Sequence, residues 1–130
     1  MNVPADLLYT EEHEWVRIEG NVATVGITDF AQDALDELVY VEVETVGETM
    51  ERNEVFGTVE AVKTTSDLFL PLAGTITEFN SELDENEGDN PTLVNEDCYG
   101  QGWIIKMELA DADNREGLLT AEEYKALTEQ

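Results

Sequence analysis

The sequence predicts a mainly β protein, an antiparallel sandwich or barrel decorated by short helices, one of them at the C-terminus. Three observations point there. Short runs with period-two apolar alternation recur at close spacing. Gly, Pro and Asn residues punctuate them as turns. Helical spacing of apolar residues is confined to two short stretches. The 130 residues fit one domain, residues 1–130, whose core draws on 42 % hydrophobic residues.

Taken in order, Glu14 to Glu19 and Asn21 to Ile27 are β-prone runs around Gly20-Asn21, a pair suited to the positive φ angles of a tight hairpin. Phe30, Ala31, Ala34, Leu35 and Leu38 then follow helical spacing from Asp29 to Leu38, with Thr28 or Asp29 as cap. Alternation returns at Val39 to Glu44, Val55 to Val62, Ser66 to Leu70 and Gly74 to Phe79, separated by turns at Gly47, Arg52-Asn53 and Pro71 to Gly74. Asn80 to Asn90 reads as a helical turn and loop. Gly102 to Leu109 is a final strand with Trp103 in the core. Thr120-Ala121-Glu122-Glu123 has capping-box spacing, and Leu119, Tyr124 and Leu127 give the closing helix an apolar stripe.

Composition narrows the function. Thirty-one acidic against six basic residues give a net charge of −25, spread along the chain, which makes nucleic acid and anionic membranes poor partners. Such self-repulsion destabilises a compact state in dilute salt and is screened at about 1 M, where the Debye length is roughly 3 Å. A saline, halophilic cytoplasm is the inference, with an ordinary acidic protein as the alternative. Residues 1–20 hold five acidic side chains and no apolar run of signal-peptide length, so a soluble, cytoplasmic protein is expected. Cys98, the sole cysteine, excludes an internal disulfide and reads as a small, partly buried side chain.

Only three lysines survive in this chain, and Lys63 stands at a very short turn between Val55 to Val62 and Thr64 to Leu70. With Lys63-Thr64 at the turn's centre, Glu60 would face Asp67, an unfavourable like-charge pair. With Val62-Lys63 at the centre, Glu60 faces Thr65 and Thr58 faces Asp67, and this register is preferred, closed by a type I turn. Lys63 has no carboxylate immediately adjacent in sequence. It either solubilises a hairpin tip or offers an exposed amine in one fixed geometry to an acyl-transferring ligase.

The segment Phe56-Gly57-Thr58-Val59-Glu60-Ala61-Val62-Lys63-Thr64-Thr65-Ser66-Asp67-Leu68-Phe69-Leu70-Pro71-Leu72-Ala73-Gly74 and the following Thr75 to Asn80 resemble the lipoylation segment of glycine cleavage H-proteins. Tyr9-Thr10-Glu11-Glu12-His13-Glu14-Trp15-Val16, Val25 to Gln32 and Tyr99-Gly100-Gln101-Gly102-Trp103-Ile104 agree with it, so the resemblance covers nearly the whole chain. Ala61-Val62-Lys63 is the H-protein form, distinct from the Ala-Met-Lys-Met of biotin carriers and the Asp-Lys-Ala of acyltransferase lipoyl domains. Two positions depart: the family commonly has histidine where Phe30 stands and proline where Cys98 stands.

The resemblance implies a fold of the lipoyl/biotinyl-carrier type and a non-enzymatic role. Lipoate would be joined by an amide to Lys63, within a recognition segment that includes Gly57, Glu60, Val62, Ser66 and Gly74. The arm would carry the aminomethyl group of glycine between a pyridoxal-phosphate decarboxylase (the P-protein), an aminomethyltransferase (the T-protein) and a flavin-dependent dihydrolipoyl dehydrogenase (the L-protein), after a lipoylating enzyme has installed it. His13, Glu14 and Asp67 would line the cleft that receives the loaded arm. A monomer making transient complexes suits three successive partners. Lipoyl relay to other dehydrogenase complexes and a biotin carrier of the same fold are the alternatives.

The remaining motifs carry little. His13 beside Glu14 could be an oriented base, but there is no nucleophile elbow and no cluster of metal-ligating residues, so a hydrolase lacks its parts. The acidic run Glu82 to Asp89 lacks the spacing of a calcium loop, and no other metal site is expected. Gly100-Gln101-Gly102 lacks the third glycine of a dinucleotide fingerprint and reads as a turn.

Overall fold

The computed structural model describes residues 2–128. In chain order the elements are β1 (Leu8–Tyr9), β2 (Glu14–Glu19), β3 (Val22–Ile27), α1 (Asp29–Leu35), β4 (Leu38–Glu42), β5 (Thr49–Met50), β6 (Val55–Ala61), β7 (Thr65–Phe69), β8 (Gly74–Phe79), α2 (Leu93–Glu96), β9 (Ile105–Leu109) and α3 (Ala121–Thr128). Every strand pair is antiparallel. One sheet has six strands in the order β1-β2-β3-β9-β8-β5, the other three in the order β4-β6-β7. Inward residues of both, among them Val16, Val25, Val41, Phe56, Val59, Leu68, Ile76 and Met107, form the main core. This is the mainly β sandwich that the alternation demands.

A second, smaller cluster of Leu7, Tyr9, Trp15, Ala121 and Tyr124 docks α3 on the outer side of the larger sheet. The Tyr9 and Tyr124 rings stack at 4.8 Å, and Tyr9 exchanges backbone bonds of 2.8 and 2.7 Å with Leu119. The capping box forms as the spacing predicts: Glu123 N–H donates to Thr120 Oγ1 at 3.2 Å and Thr120 N–H to Glu123 Oε1 at 2.9 Å. Tyr124 is fully buried, but Leu127 is exposed, so the predicted stripe is narrower than its apolar residues.

Three further expectations are corrected. The first helix stops at Leu35 rather than Leu38, because Asp36 takes a positive φ of 63° and the Leu38 N–H turns away to Asn95 Oδ1 at 2.9 Å. Leu38 then enters the core from β4, while Ala34 is exposed. Trp103 is only partly buried, against the smaller cluster, with Lys106 Nζ 4.9 Å from the centre of its ring. The acidic stretch after β8 is a series of turns without a helix. Its anchor is Asn80, whose Nδ2 donates to the carbonyls of Gln101 and Trp103 at 2.8 and 2.7 Å.

Candidate functional site

The β6–β7 hairpin adopts the register predicted from charge avoidance: Glu60 pairs with Thr65 and Thr58 with Asp67. Val62 and Lys63 are the central pair, closed by the Ala61 N–H donating to the Thr64 carbonyl at 2.7 Å. Neither residue has a positive φ, which excludes the primed turn types. The lysine side chain is 81 % exposed and Val62 70 %. The fold does bring a carboxylate to the amine: Asp36, from the end of α1, lies 3.8 Å from Lys63 Nζ, an exposed and weak pair. The adjacent Val62 N–H points at the Glu37 carbonyl, 3.4 Å away, so the tip leans on the α1–β4 connection.

The other segment residues divide into two kinds. Gly57 and Gly74 are required by packing, since a Cβ on Gly57 would lie 2.6 Å from the Glu42 carbonyl and one on Gly74 would overlap Glu108 and Met107. Glu60 and Val62 are exposed beside Lys63, and Ser66 is half-buried opposite Val59. Gly57 lets β6 lie close against β4, and Gly74 lets β8 lie close against β9 in the other sheet.

Among the described residues Glu14 is the one buried acid, 2 % exposed. A turn places it there: His13, at φ 69°, donates its N–H to the Thr10 carbonyl at 3.1 Å. The Thr10 hydroxyl then donates to Glu14 Oε1 at 2.8 Å, and the Phe69 N–H on β7 approaches Oε2 at 3.4 Å. Burial pushes the Glu14 carboxyl up to about 8, against the opposing pull of these two donors. His13 faces the other way. Its ring stacks on Phe30 at 4.6 Å, and its Nδ1 lies 2.8 Å from the Tyr124 hydroxyl, which in turn meets Thr28 Oγ1 at 2.7 Å. Burial lowers the affinity of His13 for a proton.

An open cleft of about 430 Å³ lies between these parts, lined by Thr10, Glu11, Glu12, Phe69, Pro71 and Arg52 among others. Thr10 and Phe69, the two partners of Glu14, are in its wall, and Glu14 sits behind them. Asp67 is exposed on β7, on the same face as Phe69 and outside the cleft's lining. Lys63 is six residues from Phe69, or about 20 Å along the strand, and Asp67 is about 13 Å away. Thus Lys63, Asp67, Phe69 and Glu14 lie on one track from the hairpin tip to the cleft, whereas His13 is diverted into the α3 contact. Thr10, Phe69 and Tyr124 escape a reading of the sequence, although Thr10 is four residues before Glu14 in the same block. Among the described residues no group of three or more His, Cys, Asp or Glu side chains could hold a metal ion.

Two packed antiparallel sheets that hold out a lysine on a two-residue hairpin define a carrier domain of the lipoyl and biotinyl type. Comparison with known proteins narrows the class. The family model described as "Glycine cleavage H-protein" matches residues 7–130. The chain is 60 % identical to the "Glycine cleavage system H protein" of Bacteroides thetaiotaomicron over 127 residues, covering 98 % of both chains. It is 51 % identical over 128 residues to the protein of that name from Salinibacter ruber, covering 98 % of this chain and all of that one. A crystal structure of a glycine cleavage system H protein from Mycobacterium marinum superposes with a TM-score of 0.85 at 36 % identity, covering 98 % and 99 % of the two chains. The chain belongs to the glycine cleavage H-protein family, whose part in glycine cleavage is that of a carrier.

Proposed function

We propose that this chain, residues 1–130 acting as one domain, is a lipoyl carrier of glycine cleavage with lipoate joined by an amide to Lys63 Nζ. The observation that carries this reading is the placement of an 81 % exposed lysine at a two-residue turn within a family-typical segment. The site fits the group: the amine is open to a ligase, the strands behind it fix its position, and amide formation removes one of only six cations. When bound, lipoate supplies a dithiolane that accepts the aminomethyl group of glycine as cargo.

The chain's own residues hold and present this arm. Glu60 and Val62 flank the lysine for recognition by the lipoylating enzyme. Asp67 and Glu14 are proposed to receive the cargo's ammonium group, with Thr10 and Phe69 forming the wall it must pass. His13 acts at one remove, by fixing the turn that turns Glu14 inward. P-, T- and L-proteins are the proposed successive partners, met through small, transient interfaces. No helix among the described residues is long and apolar enough to cross a membrane. A cytoplasm of high salt is proposed from the charge of −25.

Intact mass and peptide mapping of protein from its native host test the reading. One lipoyl group on Lys63 is expected, and Lys63→Arg should abolish glycine cleavage without altering the fold. A biotinyl mass, or a Lys63 peptide that is always bare in cells growing on glycine, overturns it.

A further inference from the structure

The segment from Asp111 to Leu118 joins β9 to the cap of α3, and its Gly117 lines the same cleft as Phe69 and Thr10. Its hydrogen bonds are almost all internal: Asp113 and Asn114 N–H to Asp111, Glu116 N–H to Asn114, Leu118 N–H to Arg115. Among the described residues one hydrogen bond ties this segment to the rest of the protein, from Arg52 Nη1 to the Glu116 carbonyl at 3.0 Å. Arg52 itself stands on firm ground. The next residue, Asn53, donates its N–H to the Leu70 carbonyl at 2.8 Å, and the Leu70 N–H donates to the Glu54 carbonyl at 2.9 Å, so the Arg52 turn is bound to the end of β7.

Gly117 makes this contact possible. It has a φ of +82°, and a Cβ there would overlap Arg52 Nη1. The guanidinium therefore lies directly against a backbone that a side chain would hold off. Arginine carries five N–H donors in a rigid fork, and the Glu116 carbonyl takes one nitrogen's share, leaving others free toward the cleft. In a chain with six cations among 31 acids, one of them is placed on the seam between the cleft's fixed wall and its most weakly attached wall.

We infer that Arg52 is a positioning residue that latches the Asp111 to Leu118 segment over the docked arm, so that the cleft closes on its cargo by one breakable hydrogen bond. The inference rests on the docking role proposed above for the cleft. Leu118 anchors the end of the segment against the main core, and this single hydrogen bond holds the rest of it in place yet opens when a partner enzyme competes for either end of it. Sheet hydrogen bonds do not break so readily, because each is embedded in a ladder.

Hydrogen exchange and cargo decay test the latch together, in the lipoylated full chain. With Arg52 intact, amides of residues 111–118 are expected to exchange more slowly in the glycine-loaded than in the unloaded protein. Arg52→Met, which keeps an unbranched stem and removes the donors, should abolish that difference and speed loss of the cargo by about tenfold, the weight of one hydrogen bond from a charged donor. Arg52→Lys should restore most of both effects. Gly117→Ala, with Arg52 retained, should reproduce Arg52→Met. The latch is overturned if exchange of residues 111–118 is indifferent to loading, or if Arg52→Met leaves decay unchanged while Glu14→Gln with Asp67→Asn accelerates it. Unchanged decay in all of these variants overturns the docking reading itself.

Discussion

Glu14 Oε2 accepts the backbone N–H of Phe69 at 3.4 Å, so a side chain rooted in the six-stranded sheet meets the free edge of the three-stranded one. That edge strand, β7, runs directly to the turn bearing Lys63. A carboxyl can cover an edge amide, since in either protonation state it keeps an oxygen that accepts the N–H.

The burial of Glu14 fixes the sign of a pH effect. Its carboxyl lies at about 8 in the folded chain against an ordinary 4.5. The folded protein keeps a proton that the unfolded chain releases, so this contribution is fully present below about pH 4.5 and is lost as the pH rises toward 8. Glu14→Gln removes the dependence. The unfolding free energy of the variant relative to the parent should therefore grow through that window, by about 3 kcal/mol near pH 7. Denaturant melts at several pH values measure it, and a constant difference would contradict the account.

Loading should be sensitive to the same carboxyl. An ammonium group arriving beside Glu14 favours its ionised form, and Asp67, two residues along β7 from Phe69, offers a second carboxylate. The double change Glu14→Gln with Asp67→Asn is expected to leave lipoylation intact and to hasten breakdown of the loaded state. Timed release of the cargo at matched salt and pH decides the matter. A rate equal to that of the parent would remove both residues from the cleft's function.

Salt should stabilise the protein steeply. Among the described residues a single ion pair, Lys63 with Asp36, falls within 4.0 Å, so the charge of −25 is not relieved by pairing. Its relief must come from the solvent. The thermal midpoint should climb between dilute buffer and molar potassium chloride, and a flat profile would sink the halophilic reading without touching the carrier role.

The C-terminal helix has a local dependence. Thr120→Ala removes the acceptor for the Glu123 N–H and should destabilise by about 1 kcal/mol. Tyr124→Phe removes the hydroxyl shared by His13 and Thr28. Both changes should raise amide exchange in residues 121–128 before they alter the main core, and uniform exchange across the two regions would refute that order.

The sequence is most informative where one residue's chemistry forbids an alternative. The hairpin register follows from keeping Glu60 away from Asp67, and the final helix from the spacing of Thr120 and Glu123. Helical periodicity misleads at Leu38, because its spacing from Leu35 suits a helix while Asp36 breaks the backbone between them. The two-residue strands Leu8–Tyr9 and Thr49–Met50 are too short to show any period. Long-range meetings leave no local trace at all: Asp36 with Lys63, Tyr124 with His13, and Arg52 with Glu116 exist only because separate elements converge. Trp103 shows the limit of composition, as a large apolar residue can rest half-exposed when a lysine lies over its ring.

Cys98 has a consequence for the flow of electrons. An arm that cycles between disulfide and dithiol is open to exchange with any thiolate it touches, and a thiolate on its own carrier would be the nearest competitor. Here the sole thiol belongs to a residue 7 % exposed, whose own backbone carbonyl accepts Trp15 Nε1–H, and burial pushes the thiol up to about 12. It is thus neither ionised nor reachable under working conditions. A lipoyl arm on Lys63, as proposed above, would therefore meet no reactive thiol on its own carrier, and its reducing equivalents would pass only to a separate oxidant.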